Sequence, residues 1–298
     1  MPYFSADLRN RIFLNVSDCE YGVSFIACFV QRLAVEDAVL VTVHSTRGSV
    51  PREAGTWMAV FAHTTLATVG GGRLEHDAIR HARQRLQQPP PLTADSVGAG
   101  EEVVRVALGP SLGQCCGGEM HLRYERVSAN DIAELTQRLT QPRLPVALFG
   151  GGHVGRALIA VLGLLPMDVR WIDSRDEIFP PKVPTTVQCE HSDPVQSAVA
   201  DLSAGTRVLI MSFSHAEDLD IVAACLVRQR AHGDLPYVGL IGSKTKWASF
   251  RQRLQARGFS ELEMAHITCP IGVAGIEDKR PEVIAVAVAA QLLQVPSA

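Results

Sequence analysis

The chain has 298 residues, of which 47% are hydrophobic and 20% are charged, and its formal net charge is −3. This length exceeds what one hydrophobic core commonly supports, so the sequence predicts two domains. The near-neutral charge argues against a nucleic-acid-binding protein or a protein of anionic membrane surfaces. Neither a membrane-spanning apolar run nor a signal-peptide pattern is evident, which predicts a cytoplasmic protein. The seven cysteines are scattered, which favours reduced thiols.

The first part of the chain alternates helix and strand patterns after a lead-in, residues 1–20, that carries no recognisable pattern. Apolar spacing predicts a helix over residues 22–35, and a β-branched run predicts a strand over residues 38–43. The loop that follows holds Arg47 and Arg52 beside glycines and hydroxyl side chains. Guanidinium groups match phosphate oxygens, so the loop is a candidate anion site. The alternative is a solvated connection between two strands.

A run of three glycines, Gly70, Gly71 and Gly72, follows two further predicted strands and leads directly into a helix. A glycine turn at a helix start offers backbone N–H groups to an anion, so this turn is a second candidate site. The alternative is a tight turn that serves only close packing.

Two adjacent cysteines, Cys115 and Cys116, stand between glycines and between predicted strands over residues 102–108 and 120–124. Nearby backbone N–H groups favour the thiolate, which binds soft metals or carries sulfur. A second Cys/His pair at the spacing of a structural zinc site is not evident. The pattern therefore favours functional thiols over buried structural ones.

The linker over residues 141–145 divides the chain into domains 1–140 and 141–298. The second domain opens on a short buried strand followed by Gly150, Gly152 and Gly155 at the G-x-G-x-x-G spacing, and a helix begins there. Asp173 ends the next predicted strand, near the distance at which an acidic residue meets a ribose hydroxyl. The predicted fold class is α/β: an N-terminal α+β domain followed by a Rossmann-like parallel-sheet domain.

Further candidate residues fall at the carboxyl edge of this predicted sheet. His153 lies inside the glycine turn, and Ser243 and Lys244 begin a later helix, where they are candidate contacts for a nucleotide or pterin phosphate. Helix capping is the alternative role for Ser243, and a solvated charge is the alternative for Lys244. A helix is also predicted over residues 194–202. Another has Pro281 in its first turn and is so apolar over residues 283–293 that it must lie in the core or in a dimer interface.

Eight stretches of the chain together resemble the XdhC/CoxI family: TRGSVPREAG, GGGRLEHDA, LGPSLGQCCGG, FGGGHVGRAL, WIDSR, MSFSHAEDLDI, VGLIGSKTKWASFRQRL and TCPIGVAGI. The resemblance runs from about residue 39 to the C-terminus and implies an XdhC/CoxI domain followed by a Rossmann-like domain, often in a homodimer. Members are accessory proteins of xanthine dehydrogenase and related molybdenum hydroxylases. They bind the molybdenum cofactor, molybdopterin with Mo, while a cysteine desulfurase supplies its terminal sulfido ligand, and then assist its insertion. The resemblance thus implies a chaperone and not an enzyme.

The residues and this resemblance together lead to a hypothesis about which residues hold which part of the cofactor. Cys115 or Cys116 would lie near Mo or hold the transferred sulfur, while Arg47, Arg52 and the Gly70–Gly72 turn would hold polar parts of the cofactor. Two alternatives stay open. The Rossmann fingerprint alone favours an NAD(P)-dependent oxidoreductase, and a protein–protein adaptor would leave the glycine motifs purely structural.

Overall fold

The computed structural model describes residues 25–88, 101–108 and 117–296. The chain separates into two units, residues 1–140 and 141–298. Within the described ranges, the model contains no helix that combines the length and apolarity needed to cross a membrane.

The first unit is built on a five-stranded antiparallel sheet in the order β3-β2-β1-β5-β4. Its elements are α1 (Phe25–Leu33), β1 (Ala38–Arg47), β2 (Trp57–Val60), β3 (Thr65–Ala67), α2 (Gly72–Gln87), β4 (Glu101–Ala107), β5 (Glu119–Val127) and α3 (Ile132–Leu139). Helices cover both sheet faces: Leu40 on β1 packs in one cluster with Phe29 of α1, while Val41 packs in the other with Leu74 of α2. The first six residues of β1 are therefore all buried.

Strand β1 is longer than the predicted strand over residues 38–43. Its last four residues are exposed, and the last three remain paired with β5, after a register shift between Val43 and Ser45, as far as the pair Arg47–Glu119. Arg47 is therefore the last residue of a strand and not part of the loop, which is a correction to the sequence prediction. Cys28 of α1 is disulfide-bonded, contrary to the expectation of reduced thiols.

The second unit is built on a six-stranded parallel sheet in the order β11-β10-β9-β6-β7-β8. Its elements are β6 (Leu144–Phe149), α4 (His153–Leu162), β7 (Met167–Asp173), β8 (Val187–His191), β9 (Arg207–Ile210), α5 (His215–His232), β10 (Tyr237–Leu240), α6 (Lys244–Ala256), α7 (Glu261–Met264), β11 (Ile267–Thr268) and α8 (Pro281–Gln294). The central strand β6 is buried on both faces, with Phe149 in one apolar cluster and Leu148 in the other. The predicted α/β class and Rossmann-like second half are confirmed.

Two elements of the second unit differ from the predictions. Residues 195–201 form a 3₁₀ helix where an ordinary helix was predicted over residues 194–202, and the two-residue strand β11 was not predicted. The apolar helix α8 packs against α4 through one side, which includes Val288 and Leu292. On its other side Val286 and Leu293 are each a little over half exposed.

Candidate functional site

The glycine turn between β6 and α4 has the geometry that its spacing predicted. A Cβ atom on Gly150 would lie 2.0 Å from the Met211 carbonyl oxygen, and one on Gly155 would lie 2.1 Å from the Gly150 carbonyl oxygen. Both positions therefore exclude a side chain. A Cβ atom on Gly152 would meet nothing within 4 Å. The second glycine thus leaves the start of α4 open to a bound group.

Asp173 lies where the motif predicts it, yet its carboxylate is already engaged within the chain. One oxygen accepts from the Gly151 N–H at 2.6 Å and from the Arg175 guanidinium at 3.0 Å, and the other accepts twice from Arg175 at 2.9 Å. Burial alone would raise the pKa of Asp173, but the donors of Arg175 and Gly151 outweigh it and lower the pKa. A ribose contact at Asp173 stays a prediction, and it would have to compete with these donors.

Arg175 and Phe213 form a pair at the same edge of the sheet. The guanidinium carbon lies 4.5 Å from the centre of the Phe213 ring, and Phe213 is 66% exposed. The Phe213 N–H donates to Glu217 at 3.2 Å, and the other Glu217 oxygen accepts from Ser174 at 2.8 Å. The loops after β7 and β9 are therefore tied together. Sequence reasoning missed Arg175 and Phe213, although both stand in the stretches WIDSR and MSFSHAEDLDI.

Ser243 caps helix α6, because its hydroxyl accepts from the Lys246 N–H at 3.2 Å. The capping role considered for Ser243 is thus present, while Lys244 and His153 are exposed. Their contact with a phosphate stays a prediction. The same edge of the sheet also holds a second lysine, Lys246, that sequence reasoning did not single out.

Lys246 and Asp218 form a buried ion pair with a nitrogen–oxygen distance of 2.6 Å and side-chain exposures of 11% and 3%. The ammonium also donates to the Ile241 carbonyl at 2.8 Å. The other Asp218 oxygen accepts from the Ser212 N–H and hydroxyl at 2.8 and 2.7 Å. Burial raises the pKa of the neighbouring Cys269 thiol, and the Lys246 charge opposes this only in part. The cluster rigidly joins the ends of β9 and β10.

In the first unit, the Gly70–Gly72 turn also donates to a carboxylate of the chain. The Val69 and Gly71 N–H groups each lie 3.1 Å from one oxygen of Glu75, which also accepts from the Thr68 hydroxyl. Glu75 stands in the first turn of α2, where the helix dipole favours a negative charge. A ligand at this turn would need other donors, so the predicted cofactor contacts of Gly70, Gly71 and Gly72 stay predictions.

The arginine-containing stretch of the first unit contacts the Gly70 turn and Gly118. A Cβ atom on Gly118 would lie 2.2 Å from the Ser49 carbonyl oxygen, and one on Gly70 would lie 2.8 Å from the Pro51 ring. The stretch TRGSVPREAG is therefore in contact both with the glycine turn and with the segment that follows the cysteine pair. Cys115 and Cys116 themselves lie outside the described residues.

Arg47 and Arg52 are exposed in this shared stretch. Many other arginines of the unit form ion pairs, such as Arg105 with Glu119, but no described carboxylate lies within ion-pair distance of Arg47 or Arg52. Both guanidinium groups are thus outside the described ion pairs, although the Arg47 charge contributes to lowering the pKa of Glu119, its neighbour across β1 and β5. Within residues 25–88, 101–108 and 117–296, no group of three or more His, Cys, Asp or Glu side chains could hold a metal ion.

Comparisons with known proteins agree with this architecture. Residues 32–93 match the model of the XdhC and CoxI family, and residues 146–292 match the XdhC Rossmann domain. A solved structure described as a xanthine dehydrogenase from Bacillus halodurans is 19% identical and superposes with a TM-score of 0.72, covering 92% of this chain and 96% of its own. At this level of identity the likeness shows the shared fold.

A curated relative, the uncharacterized protein YqeB of Escherichia coli, is 26% identical over 259 residues. The match covers 86% of this chain but only 43% of YqeB. The two family matches fall in the two structural units, in the order that the sequence motifs predicted. The chain therefore belongs to the XdhC/CoxI family.

Proposed function

We propose that the chain binds the molybdenum cofactor and assists its delivery to xanthine dehydrogenase or a related molybdenum hydroxylase. The observation that carries the proposal is the convergence of the first unit's motifs on the stretch that holds Arg47 and Arg52. Pro51 contacts the Gly70 turn, and Ser49 contacts Gly118, two residues beyond Cys116. A single ligand could thus meet cations and a glycine turn.

The residues present fit the chemistry of this cofactor. Its phosphate is an anion, which unpaired exposed guanidinium groups bind well. Its molybdenum is held by sulfur ligands, and thiolates are compatible with such a soft centre. When bound, the cofactor supplies oxo-transfer and hydroxylation chemistry to the enzyme that receives it. Gly118, which has no side chain, allows the close approach of its backbone to Ser49 in the stretch that holds Arg47 and Arg52.

In this role, the chain's own residues hold and shield the cofactor and do not turn over a substrate. Arg47 and Arg52 would bind the phosphate, and Cys115 or Cys116 would lie near Mo or carry sulfur supplied by a cysteine desulfurase. The partners would be this desulfurase and the apo-hydroxylase. A homodimer is part of the proposal, and the exposed Val286 and Leu293 on α8 are compatible with it.

The oxidoreductase alternative is less well supported. A dinucleotide-binding Rossmann site reads the ribose with an acidic side chain. Here the carboxylate of Asp173 accepts from Gly151 and from Arg175 at four contacts. A protein–protein adaptor without a ligand would not explain why Arg47 and Arg52 are exposed in a stretch that contacts the Gly70 turn. Fluorescence titration with NAD(H) and NADP(H) tests the first alternative.

The test of the proposal is anaerobic purification of the full chain from cells that make molybdopterin, followed by measurement of bound molybdenum and pterin. The wild type should retain pterin, whereas Arg47→Ala/Arg52→Ala and Cys115→Ala/Cys116→Ala should each lose most of it. Arg80→Ala is the matched control for the arginines, because Arg80 is exposed in the same unit but is paired with Asp77.

Cofactor delivery is tested separately by adding the loaded chain to an apo-hydroxylase and following the recovery of enzyme activity. Equal pterin retention in both double variants and in the wild type would refute the assignment of the site. Retention of NAD(H) in place of pterin would favour the oxidoreductase.

A further inference from the structure

The carboxyl ends of β9, β10 and β11 bring a thiol next to the buried Lys246–Asp218 ion pair. Asp218 lies in the first turn of α5, Lys246 lies in the first turn of α6, and Cys269 directly follows β11. The Lys246 ammonium donates to Asp218 and to the Ile241 carbonyl, at 2.6 and 2.8 Å. Among the described residues these are its two acceptors, so its third hydrogen is left for another group.

The Cys269 thiol is half-buried, and Gly242 leaves one side of it uncovered. Gly242 is exposed, and a Cβ atom there would lie 3.4 Å from the Cys269 sulfur and 2.8 Å from the Lys246 Cδ atom. A side chain at this position would therefore cover the thiol and displace the lysine stem. Pro270, the next residue in the chain, is exposed as well. A small sulfur-bearing group can thus approach Cys269 from solvent.

The two other described free thiols, Cys189 and Cys225, lack this combination of access and a nearby cation. Cys225 is fully buried, which raises its pKa to about 12. Cys189 is half-buried like Cys269, but burial alone raises its pKa. At Cys269 the Lys246 charge opposes the effect of burial, and it acts more strongly on the pKa than the Asp218 charge does in the other direction. A cation is thus present to stabilise an anionic sulfur at Cys269 and not at Cys189.

We propose that Cys269 accepts sulfane sulfur from the persulfide of a partner protein and holds it beside the Lys246–Asp218 pair. The Cys269 thiolate attacks the outer sulfur of the donor persulfide, so that a new S–S bond forms at Cys269 and the S–S bond of the donor breaks. The inner sulfur of the donor leaves as a thiolate and takes up one proton, which balances the proton that Cys269 gives to solvent. No oxidant is consumed. The free hydrogen of the Lys246 ammonium donates to the terminal sulfur that Cys269 then carries.

A persulfide suits this setting because it adds a single atom to the thiol and needs no enclosed cavity. The inference deepens the function proposed above and rests on it for the donor, since that role includes a cysteine desulfurase as the source of sulfur. The site itself lies in the second unit and involves neither the two arginines nor the adjacent cysteine pair of the first unit.

The test is anaerobic incubation of the full chain with glutathione persulfide, followed by alkylation and mass spectrometry of the peptides that hold Cys269, Cys189 and Cys225. A Cys115→Ala/Cys116→Ala background ensures that the adjacent cysteine pair does not pass sulfur on. Cys189 is the matched control, because it is a half-buried thiol of the same unit. Cys225 reports on folding, because it is 0% exposed and reacts only when the core opens.

Cys269 should gain sulfur about fivefold faster than Cys189 or more, the factor that one adjacent unit charge contributes even in a medium of high dielectric constant. Asp218→Asn/Lys246→Met replaces the ion pair by neutral groups and should bring the rate at Cys269 close to that at Cys189. Lys246→Arg keeps a cation and should keep most of the rate. If Cys225 reacts in the double variant, that variant has opened, and the comparison of Cys269 with Cys189 in the intact pair decides.

Three results would overturn the proposal: Cys269 gains sulfur no faster than Cys189, Cys269 carries glutathione in place of a single sulfur, or the double variant keeps the full rate while Cys225 stays unmodified. The pterin measurement on the chain with its own cysteines is independent of this one. Retained pterin without sulfur at Cys269 would overturn this inference alone, and sulfur uptake without pterin would refute cofactor binding alone.

Discussion

Replacing Asp173 by Asn should destabilise the second unit, because the carboxylate is a structural anchor of the glycine turn. It accepts from the Gly151 N–H and from three donors of Arg175, at 2.6 to 3.0 Å. An Asn amide keeps one acceptor oxygen, so about half of these bonds are lost and an NH₂ group faces the remaining donors. Hydrogen bonds to a charged group contribute about 1.5–3 kcal/mol each. Since Arg175 is partly exposed, we expect a loss of about 3 kcal/mol in the free energy of unfolding.

The assay is urea unfolding followed by tryptophan fluorescence in a Trp57→Phe background. This leaves Trp171 and Trp247, both in the second unit, and the Trp171 indole donates to the Gly150 carbonyl at 3.0 Å. The signal therefore reports on the same turn. Asp168→Asn is the matched control on the same strand: Asp168 is 63% exposed and pairs with Arg143. A surface pair of this kind contributes about 1 kcal/mol or less.

The effect of Asp173→Asn should also depend on pH in a defined direction. The pKa of Asp173 is lowered in the folded chain from the unperturbed value of 3.8. Its stabilisation is thus fully present above that value and is lost as the pH falls through the lower folded-state pKa. The gap between wild type and variant should stay constant from about pH 8 to pH 5 and narrow below about pH 4. A variant within about 0.5 kcal/mol of the wild type at pH 7 would refute the reasoning, because such a value is typical of an uninvolved surface residue.

Three further predictions use the same unfolding measurement, with fluorescence of Trp57 or circular dichroism for the first unit. Ala67 has a φ of +62°, in the left-handed region that disfavours a side chain. Ala67→Gly should therefore stabilise the first unit by about 0.5 kcal/mol or more, and a loss of stability would contradict this. Gly155→Ala should lower the free energy of unfolding by about 3 kcal/mol or more, because the added Cβ would lie 2.1 Å from a backbone oxygen. Gly152→Ala should leave it nearly unchanged, and equal effects of the two variants would contradict the packing argument. Arg228 binds Asp234 with two nitrogens and also donates to backbone carbonyls. Arg228→Lys should therefore lower the free energy of unfolding nearly as much as Arg228→Ala, because lysine lacks the planar guanidinium. Wild-type stability of the lysine variant would refute the role of the guanidinium.

Much of the fold was predictable because local patterns and chain geometry agree. The G-x-G-x-x-G spacing places glycines where Gly150 and Gly155 contact backbone, and only glycine fits there. Ser214 directly precedes α5 and Glu217 follows three residues later, a capping-box spacing that predicts the observed hydrogen bond from the Glu217 N–H to the Ser214 hydroxyl. By contrast, the extension of β1 to Arg47 depends on pairing with β5, a partner more than seventy residues away, which no local pattern indicates.

The candidate sites were predicted less completely, because the direction of a side chain is a tertiary property. Asp173 ends a strand after the glycine motif, and Glu75 stands in the first turn of a helix, so an acidic residue suits both positions. Nothing in the sequence shows that each turns inward and accepts from a glycine N–H. The exposed Phe213 could not be distinguished from a core residue, because it extends an apolar run that continues β9.

The glycine turns of the two units are held in shape in the same way, and this affects how each turn could bind an anion. Each glycine turn has an N–H group that donates to a carboxylate of the chain, from Gly71 to Glu75 and from Gly151 to Asp173. An internal carboxylate holds such a turn in shape without a ligand and repels a second anion from the same donors. A phosphate-bearing ligand must then be recognised chiefly by groups outside these N–H bonds. Under the function proposed above, those groups in the first unit would be Arg47 and Arg52, which form no ion pair with a described carboxylate.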